Sequence, residues 1–182
     1  MSGGAPRTAL VVVADEAEEA TAPWRHRFNR SAVERLLPAH VTILFPLVPA
    51  GAIDDELLSR LRALYAPIAA FGYRLTRIES FPTIAWLAPE PAAPFLELIA
   101  RTSEAFPDHP PYGDPGLEPV PHCTVGVVDA PAGLQAALDE LRAGLGPQLP
   151  IRCKARAATL LEERSDRTWT VHTRFPFEGA AV

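Results

Sequence analysis

Two cysteines, one methionine and a single lysine, Lys154, are all that 182 residues contain of those types. Cys123 and Cys153 cannot make a disulfide framework, so they are read as reduced, buried, small apolar side chains. No run approaches the ~18 apolar residues of a membrane span, and Ala9 to Ala14 is too short for the apolar core of a signal peptide. The expectation is a cytoplasmic chain with no membrane partner. Positive charge is also short, with a net charge of −5, which argues against clamping long duplex nucleic acid but leaves room for a small site around one phosphate. No P-loop, GxGxxG or CxxC appears, which removes the nucleoside-triphosphate, dinucleotide and zinc-ribbon readings. What is present is a hydrophobic fraction of 48%, too high for a disordered chain. The length suits one domain or two small, intimately packed lobes.

Twenty prolines, about twice the ~5% average usage, punctuate the chain clearly. Thr8 to Ala14 reads as a buried strand. The apolar positions Phe28, Val33, Leu36 and Leu37 predict a helix that Pro38 stops. Ala39 to Leu47 is a strand, and Asp54 to Tyr65 is an amphipathic helix with Asp54 as its cap. Strands follow over 71–78 and 84–87, then a helix over 95–106 opened by Pro94. Residues 107–121 hold six prolines and two glycines and form a long ordered loop. Beyond it come a strand over 121–128, a helix over 134–145, and strands over 151–161 and 168–177.

A shift of 82 residues superposes His40 on His122, Thr42 on Thr124, and Pro49-Ala50-Gly51 on Pro131-Ala132-Gly133. A repeat of this kind reports one supersecondary unit used twice. The expected fold is therefore α+β, one domain over 1–182 built from two interleaved, pseudo-symmetric lobes. Each lobe contributes an antiparallel sheet with flanking helices and one HxT motif, at 40–42 and 122–124.

On a strand, residues i and i+2 share a face about 6.5–7 Å apart. His40 and Thr42 project together while Val41 and Ile43 turn to the core; His122 and Thr124 do the same, with Cys123 and Val125 behind them. Two such strands can set two imidazoles and two hydroxyls around one anion. Imidazole titrates near neutrality, at a pKa of ~6.5, so one ring can act as base while the other acts as acid. Threonine hydroxyls donate to phosphate oxygens. The set suits metal-free, in-line phosphoester chemistry.

"PAHVTILFP" and "PYGDPGLEPVPHCTVGV" resemble the paired H-x-T/S signature of the two-histidine (2H) phosphoesterases, in particular the 2'-5' RNA ligase or RNA 2',3'-cyclic phosphodiesterase branch. The resemblance extends to "WRHRFN", "ESFPTIAWLA" and "RTWTVHTRFPF". It implies a bilobal fold around a V-shaped cleft, no metal or cofactor, and opening of 2',3'-cyclic phosphate ends to 2'-phosphates. Some members also join or cleave 2'-5' linkages. Residue by residue, it makes His40 and His122 catalytic and Thr42 and Thr124 phosphate-binding, with His122 activating water and His40 protonating the departing ribose oxygen. The pseudo-symmetry of the motifs by itself leaves both orders of acid and base open. The implied partners are RNA ends or small cyclic nucleotides, and the chain is expected to be a monomer.

Of the remaining candidates, Tyr112 in the long loop is the one for stacking a base, whereas Phe45 and Trp86 read as core. Arg27, Arg74 and Arg174 are the arginines considered for steering phosphate, against the usual role of charge on solvated faces. His26, His109 and His172 lie outside any HxT context, and Cys123 faces away from the site. His40 and His122 have no further ligands at metal-binding spacing. A non-catalytic RNA- or nucleotide-binding module on the same fold is the second reading; two intact HxT pairs favour the enzyme.

Overall fold

The computed structural model describes residues 5–114 and 116–180. Strand β1 (Thr8–Val13) leads into α1 (Glu18–Phe28), the short α2 (Arg30–Glu34) and β2 (His40–Leu44). Then come α3 (Asp55–Tyr65), β3 (Phe71–Phe81), β4 (Ile84–Glu90), α4 (Ala93–Ala105) and β5 (Cys123–Val127). The chain closes with α5 (Leu134–Gly144), β6 (Ile151–Ala155), β7 (Ala157–Glu163) and β8 (Trp169–Pro176).

The strands hydrogen-bond in the order β6-β3-β4-β5-β2-β1-β7-β8, with every ladder antiparallel. The two expected sheets are thus halves of one eight-stranded sheet. They join where β2 meets β5 at the registered pair Val41 and Cys123, the central residues of the two HxT motifs. Only Arg156 separates β6 from β7, yet they stand first and seventh in the strand order. One residue spans at most ~3.6 Å, so the sheet curls back on itself to bring them together. The second strand after each motif crosses over: β4 pairs with β5, which carries the second motif, and β7 pairs with β1, the neighbour of β2.

The helices bury apolar stripes at spacings of three and four: Leu57, Leu61 and Tyr65 on α3, Phe95, Leu98 and Ile99 on α4, Ala137, Leu138 and Leu141 on α5. All of these but Ala137 pack with Val41, Ile43, Cys123 and Val125 in the main core. Asp54 caps α3 as expected, its Oδ1 accepting from the Leu57 amide at 2.8 Å. The Tyr65 and Thr102 hydroxyls, 2.7 Å apart, tie α3 to α4.

Two sequence expectations are met only in part. Of the helix predicted through Phe28 to Leu37 only the five-residue α2 forms; the longer α1 lies before it and ends at Phe28, and Leu36 adopts φ 58 and is 67% exposed. What seats α1 is polar. Arg25, 3% exposed, pairs with Glu18 and donates to the Leu37 carbonyl, so no apolar stripe marks the helix. The strand predicted over 151–161 is two strands on opposite flanks, because the chain changes ladder at Arg156.

Candidate active site

His40 and Thr42 of β2, and His122 and Thr124 at β5, line one cavity of about 320 Å³. Val41, Ile43, Cys123 and Val125 between and beyond them are buried in the core. Adjacent antiparallel strands therefore bring the two motifs together from 82 residues apart.

Both imidazoles are held in the same way. His40 Nδ1 lies 2.8 Å from the Pro38 carbonyl, and His122 Nδ1 lies 2.7 Å from the Val120 carbonyl, each two residues upstream. A carbonyl can only accept, so both Nδ1 atoms carry hydrogen. Each Nε2 is left as the ring atom that takes or gives a proton. Burial pushes His40 down to about 4, against the opposing pull of the Pro38 carbonyl and with added repulsion from Arg25 and His122. Burial lowers His122 as well, opposed by the Val120 carbonyl. Both rings are thus neutral near pH 7, and a bound phosphate anion is what would stabilise a proton between them.

The segment before His40 is pinned by Glu18. Its Oε2 accepts from the Ala39 amide at 2.9 Å, and its Oε1 lies 2.6 Å from Arg25 Nη1. His122 has aromatic support instead, with the Phe81 ring centroid at 5.1 Å and 90° and that of Trp86 at 5.9 Å. Tyr112 lines the same cavity, its amide donating to the Phe45 carbonyl at 2.6 Å and its ring 49% exposed. With Thr42, Phe45, Ile84 and His122 it also borders a neighbouring, largely apolar cavity of about 260 Å³. Phe45 therefore faces the site, whereas Trp86 stays in the core behind His122.

Arg27, Arg74 and Arg174 do not line this cavity; Arg7, Arg25 and Arg35 do. The cationic wall was missed because it assembles across the fold. Arg7 precedes β1, and β1 pairs Val11 with Thr42 and Val13 with His40. One local signal existed, since Arg7, Ala9 and Val11 recur at the period of two that marks one strand face. Asn29 is also in the wall. His26 and His172 are exposed and His109 half-buried, all outside the cavity. Cys123 is fully buried, and burial pushes its thiol up to about 12, unsuited to a nucleophile. Among the described residues no three His, Cys, Asp or Glu side chains gather to hold a metal ion. Among the described residues no helix is long and apolar enough to cross a membrane.

Residues 13–167 match the family described as the 2'-5' RNA ligase superfamily, and the chain belongs to it. That membership supports a phosphoesterase-type function. Among solved structures, TT0787 of Thermus thermophilus aligns with TM-score 0.58 at 19% identity, covering 96% of this chain and 100% of that one. E. coli LigT complexed with 3'-AMP aligns with TM-score 0.61 at 14% identity, over 94% of this chain and 98% of that one. A structure described as a phosphoesterase aligns with TM-score 0.59 at 14% identity, over 96% and 99% of the two chains. These likenesses show the fold. A comparison with curated proteins finds no match.

Proposed function

We propose that this chain is a metal-independent phosphodiesterase that opens 2',3'-cyclic phosphate ends of RNA or small nucleotides to 2'-phosphates. The carrying observation is the matched pair of Nδ1–carbonyl hydrogen bonds, which leaves two Nε2 atoms free on the walls of one cavity. His122 Nε2 takes a proton from water as the water oxygen bonds to phosphorus. The P–O3' bond breaks, and His40 Nε2 delivers a proton to the departing O3'. Thr42 and Thr124 donate to the non-bridging oxygens, and Tyr112 stacks the base against the neighbouring apolar cavity.

Arg25 and His122 both disfavour charge on His40, so the acid acquires its proton with the phosphate anion. With the 5'-hydroxyl of a second strand entering in place of water, the same step forms a P–O5' bond as the P–O3' bond breaks, and joins the ends through a 2'-5' linkage. The HxT pairs belong to two interleaved lobes of one domain. A nucleotide ligand is further supported by E. coli LigT, which has been solved with 3'-AMP, NADP+ and ATP.

The test is hydrolysis of nucleoside 2',3'-cyclic phosphates in EDTA, with the 2'- and 3'-phosphate products resolved. Turnover to the 2'-phosphate is expected. Binding without turnover at any pH from 5 to 9 would leave a non-catalytic nucleotide-binding module on the same fold.

A further inference from the structure

Three guanidinium groups converge on one carboxylate beside the histidines. Glu163, at the end of β7 with its side chain 0% exposed, accepts from Arg7 Nε at 3.0 Å and Arg7 Nη2 at 3.2 Å. It also accepts from Arg167 Nη1 at 3.2 Å and from Arg35 Nη2. Among the described residues no other carboxylate lies within ion-pair distance of Arg7, Arg35 or Arg167. The cluster therefore carries a net charge of about +2, more than burying one carboxylate requires, since a single bidentate arginine satisfies it.

Arg7 and Arg35 line the cavity that holds both HxT motifs; Arg167 does not. Arg35 Nε is taken by the Arg167 carbonyl at 2.8 Å, and the Nη1 atoms of Arg7 and Arg35 have no hydrogen-bond partner among the described residues. Both guanidinium carbons stand 6.0 Å from the Trp169 ring centroid, and that of Arg7 lies 5.1 Å from Phe45. Glu163 thus positions two cations without neutralising them. Arginines already ordered by the fold lose little rotamer freedom when an anion arrives. The cavity, about 320 Å³, reaches the lower range of small-molecule sites.

We propose that Arg7 and Arg35 bind a phosphate on the 5' oxygen of the same nucleotide whose cyclic phosphate lies between His40 and His122. This rests on the function proposed above and narrows its substrate to 5'-phosphorylated or 5'-linked ends rather than bare nucleoside cyclic phosphates. A free 5'-monoester and the phosphodiester linking an upstream nucleotide present the same chemistry to the two arginines.

Calorimetric binding of adenosine 2'-phosphate and adenosine 2',5'-bisphosphate reads the subsite independently of turnover. The wild-type chain should bind the bisphosphate roughly 10- to 100-fold more tightly, the range of one or two charge-assisted hydrogen bonds. Arg7→Met and Arg35→Met should reduce that ratio to within about threefold of unity, while Arg167→Met should retain it. If a methionine variant fails to fold, Arg7→Lys and Arg35→Lys keep the charge and lose the fork, and should reduce the ratio by an intermediate amount. Equal wild-type affinities, or a ratio unmoved by the Arg7 and Arg35 variants, would overturn the proposal.

Turnover of a 5'-phosphorylated cyclic mononucleotide against a dinucleotide ending in a cyclic phosphate then separates the two sources. Preference for either over the bare nucleoside cyclic phosphate supports the subsite and says which phosphate it takes. A wild-type chain that hydrolyses none of them while keeping the binding ratio would sink the phosphodiesterase reading and leave the subsite standing.

Discussion

The two HxT half-sites reach one geometry by different means. At each, an Nδ1 donates to the carbonyl two residues upstream, and a threonine follows two residues later on the same face. Behind His40 the scaffold is ionic, the Glu18–Arg25 pair fixing the Leu37 carbonyl and the Ala39 amide. Behind His122 it is aromatic, with Phe81 and Trp86 against the ring. The two motifs thus match in the groups that face the cavity, while the side chains that support them diverge. The divergence has an electrostatic result, because the Arg25 charge reaches His40 and adds to the effect of burial there, opposed more weakly by Glu18.

The largest expected effects come from removing either imidazole. His40→Ala and His122→Ala should each lower kcat by roughly 10²- to 10⁴-fold on a 2',3'-cyclic phosphate. The double variant should lose far less than the product of the two, because groups acting as a unit are non-additive. The leaving group separates the halves. A p-nitrophenyl phosphodiester expels an aryloxide that needs no acid, so His40→Ala should recover at least tenfold on it relative to the cyclic substrate, and His122→Ala should not. Recovery by His122→Ala instead would exchange the two roles.

Next come the hydroxyls. Thr42→Val or Thr124→Val removes one charge-assisted donor worth about 1.5–3 kcal/mol, or roughly 10- to 150-fold in kcat/KM. Equal losses would mean that the symmetry of the motifs extends to phosphate binding. His172→Ala, exposed and outside the cavity, should change kcat/KM by no more than a few-fold.

What could be read in the chain follows the range of the interactions involved. The period of two in "AHVTIL" and "PHCTVG" puts His and Thr on one face, and the leucine spacings of α3 and α5 give their buried stripes directly. These signals lie within a dozen residues. α1 escaped because its buried anchor is Arg25, a residue type that sequence patterns assign to solvent. The single sheet escaped because the β2–β5 junction rests on one registered pair, and β6 and β7 because a one-residue break carries no turn signature. The cationic wall escaped for the plainest reason: Arg7 and Arg35 find Glu163 across 156 and 128 residues. Only Arg7 carries a local sign, its period of two with Ala9 and Val11; nothing near Arg25 or Arg35 in the chain separates them from Arg27, Arg74 and Arg174.

The supports should fail in unequal degree. Glu18→Gln leaves the nearly buried Arg25 without its carboxylate, while Glu18 itself is 47% exposed, so part of the cost is met by water. A loss on the order of 1–2 kcal/mol in stability is expected, together with a kcat loss from the displaced His40 segment. Phe81→Leu leaves an apolar side chain beside His122 but removes the edge-to-face ring contact, and should cost about 1 kcal/mol, the range of an aromatic pair beyond its area burial. Denaturant melts combined with kcat would show whether the ionic scaffold is the more critical one; a Phe81 variant more damaging than Glu18→Gln would reverse that order.

The smallest effect is also the most specific to the comparison. His40 is held at about 4 in the folded chain, against ~6.5 when unfolded, so between those values the unfolded state binds more protons. The stability His40 contributes by staying neutral is complete above pH ~6.5 and is lost as pH falls toward 4. Because the ring is only half-buried, the loss at pH 5 should be on the order of 1 kcal/mol. His40→Asn, which cannot be protonated, should flatten the fall in Tm between pH 7 and pH 5. His122→Asn should flatten it less, since Arg25 is not among the groups that depress His122. Carboxylates elsewhere contribute equally to both variants and cancel in the difference. An adenosine 2'-phosphate ligand should narrow that difference by stabilising the charged imidazole. Identical slopes for the two variants would mean that the ionic scaffold behind His40 has no electrostatic consequence for the ring it supports.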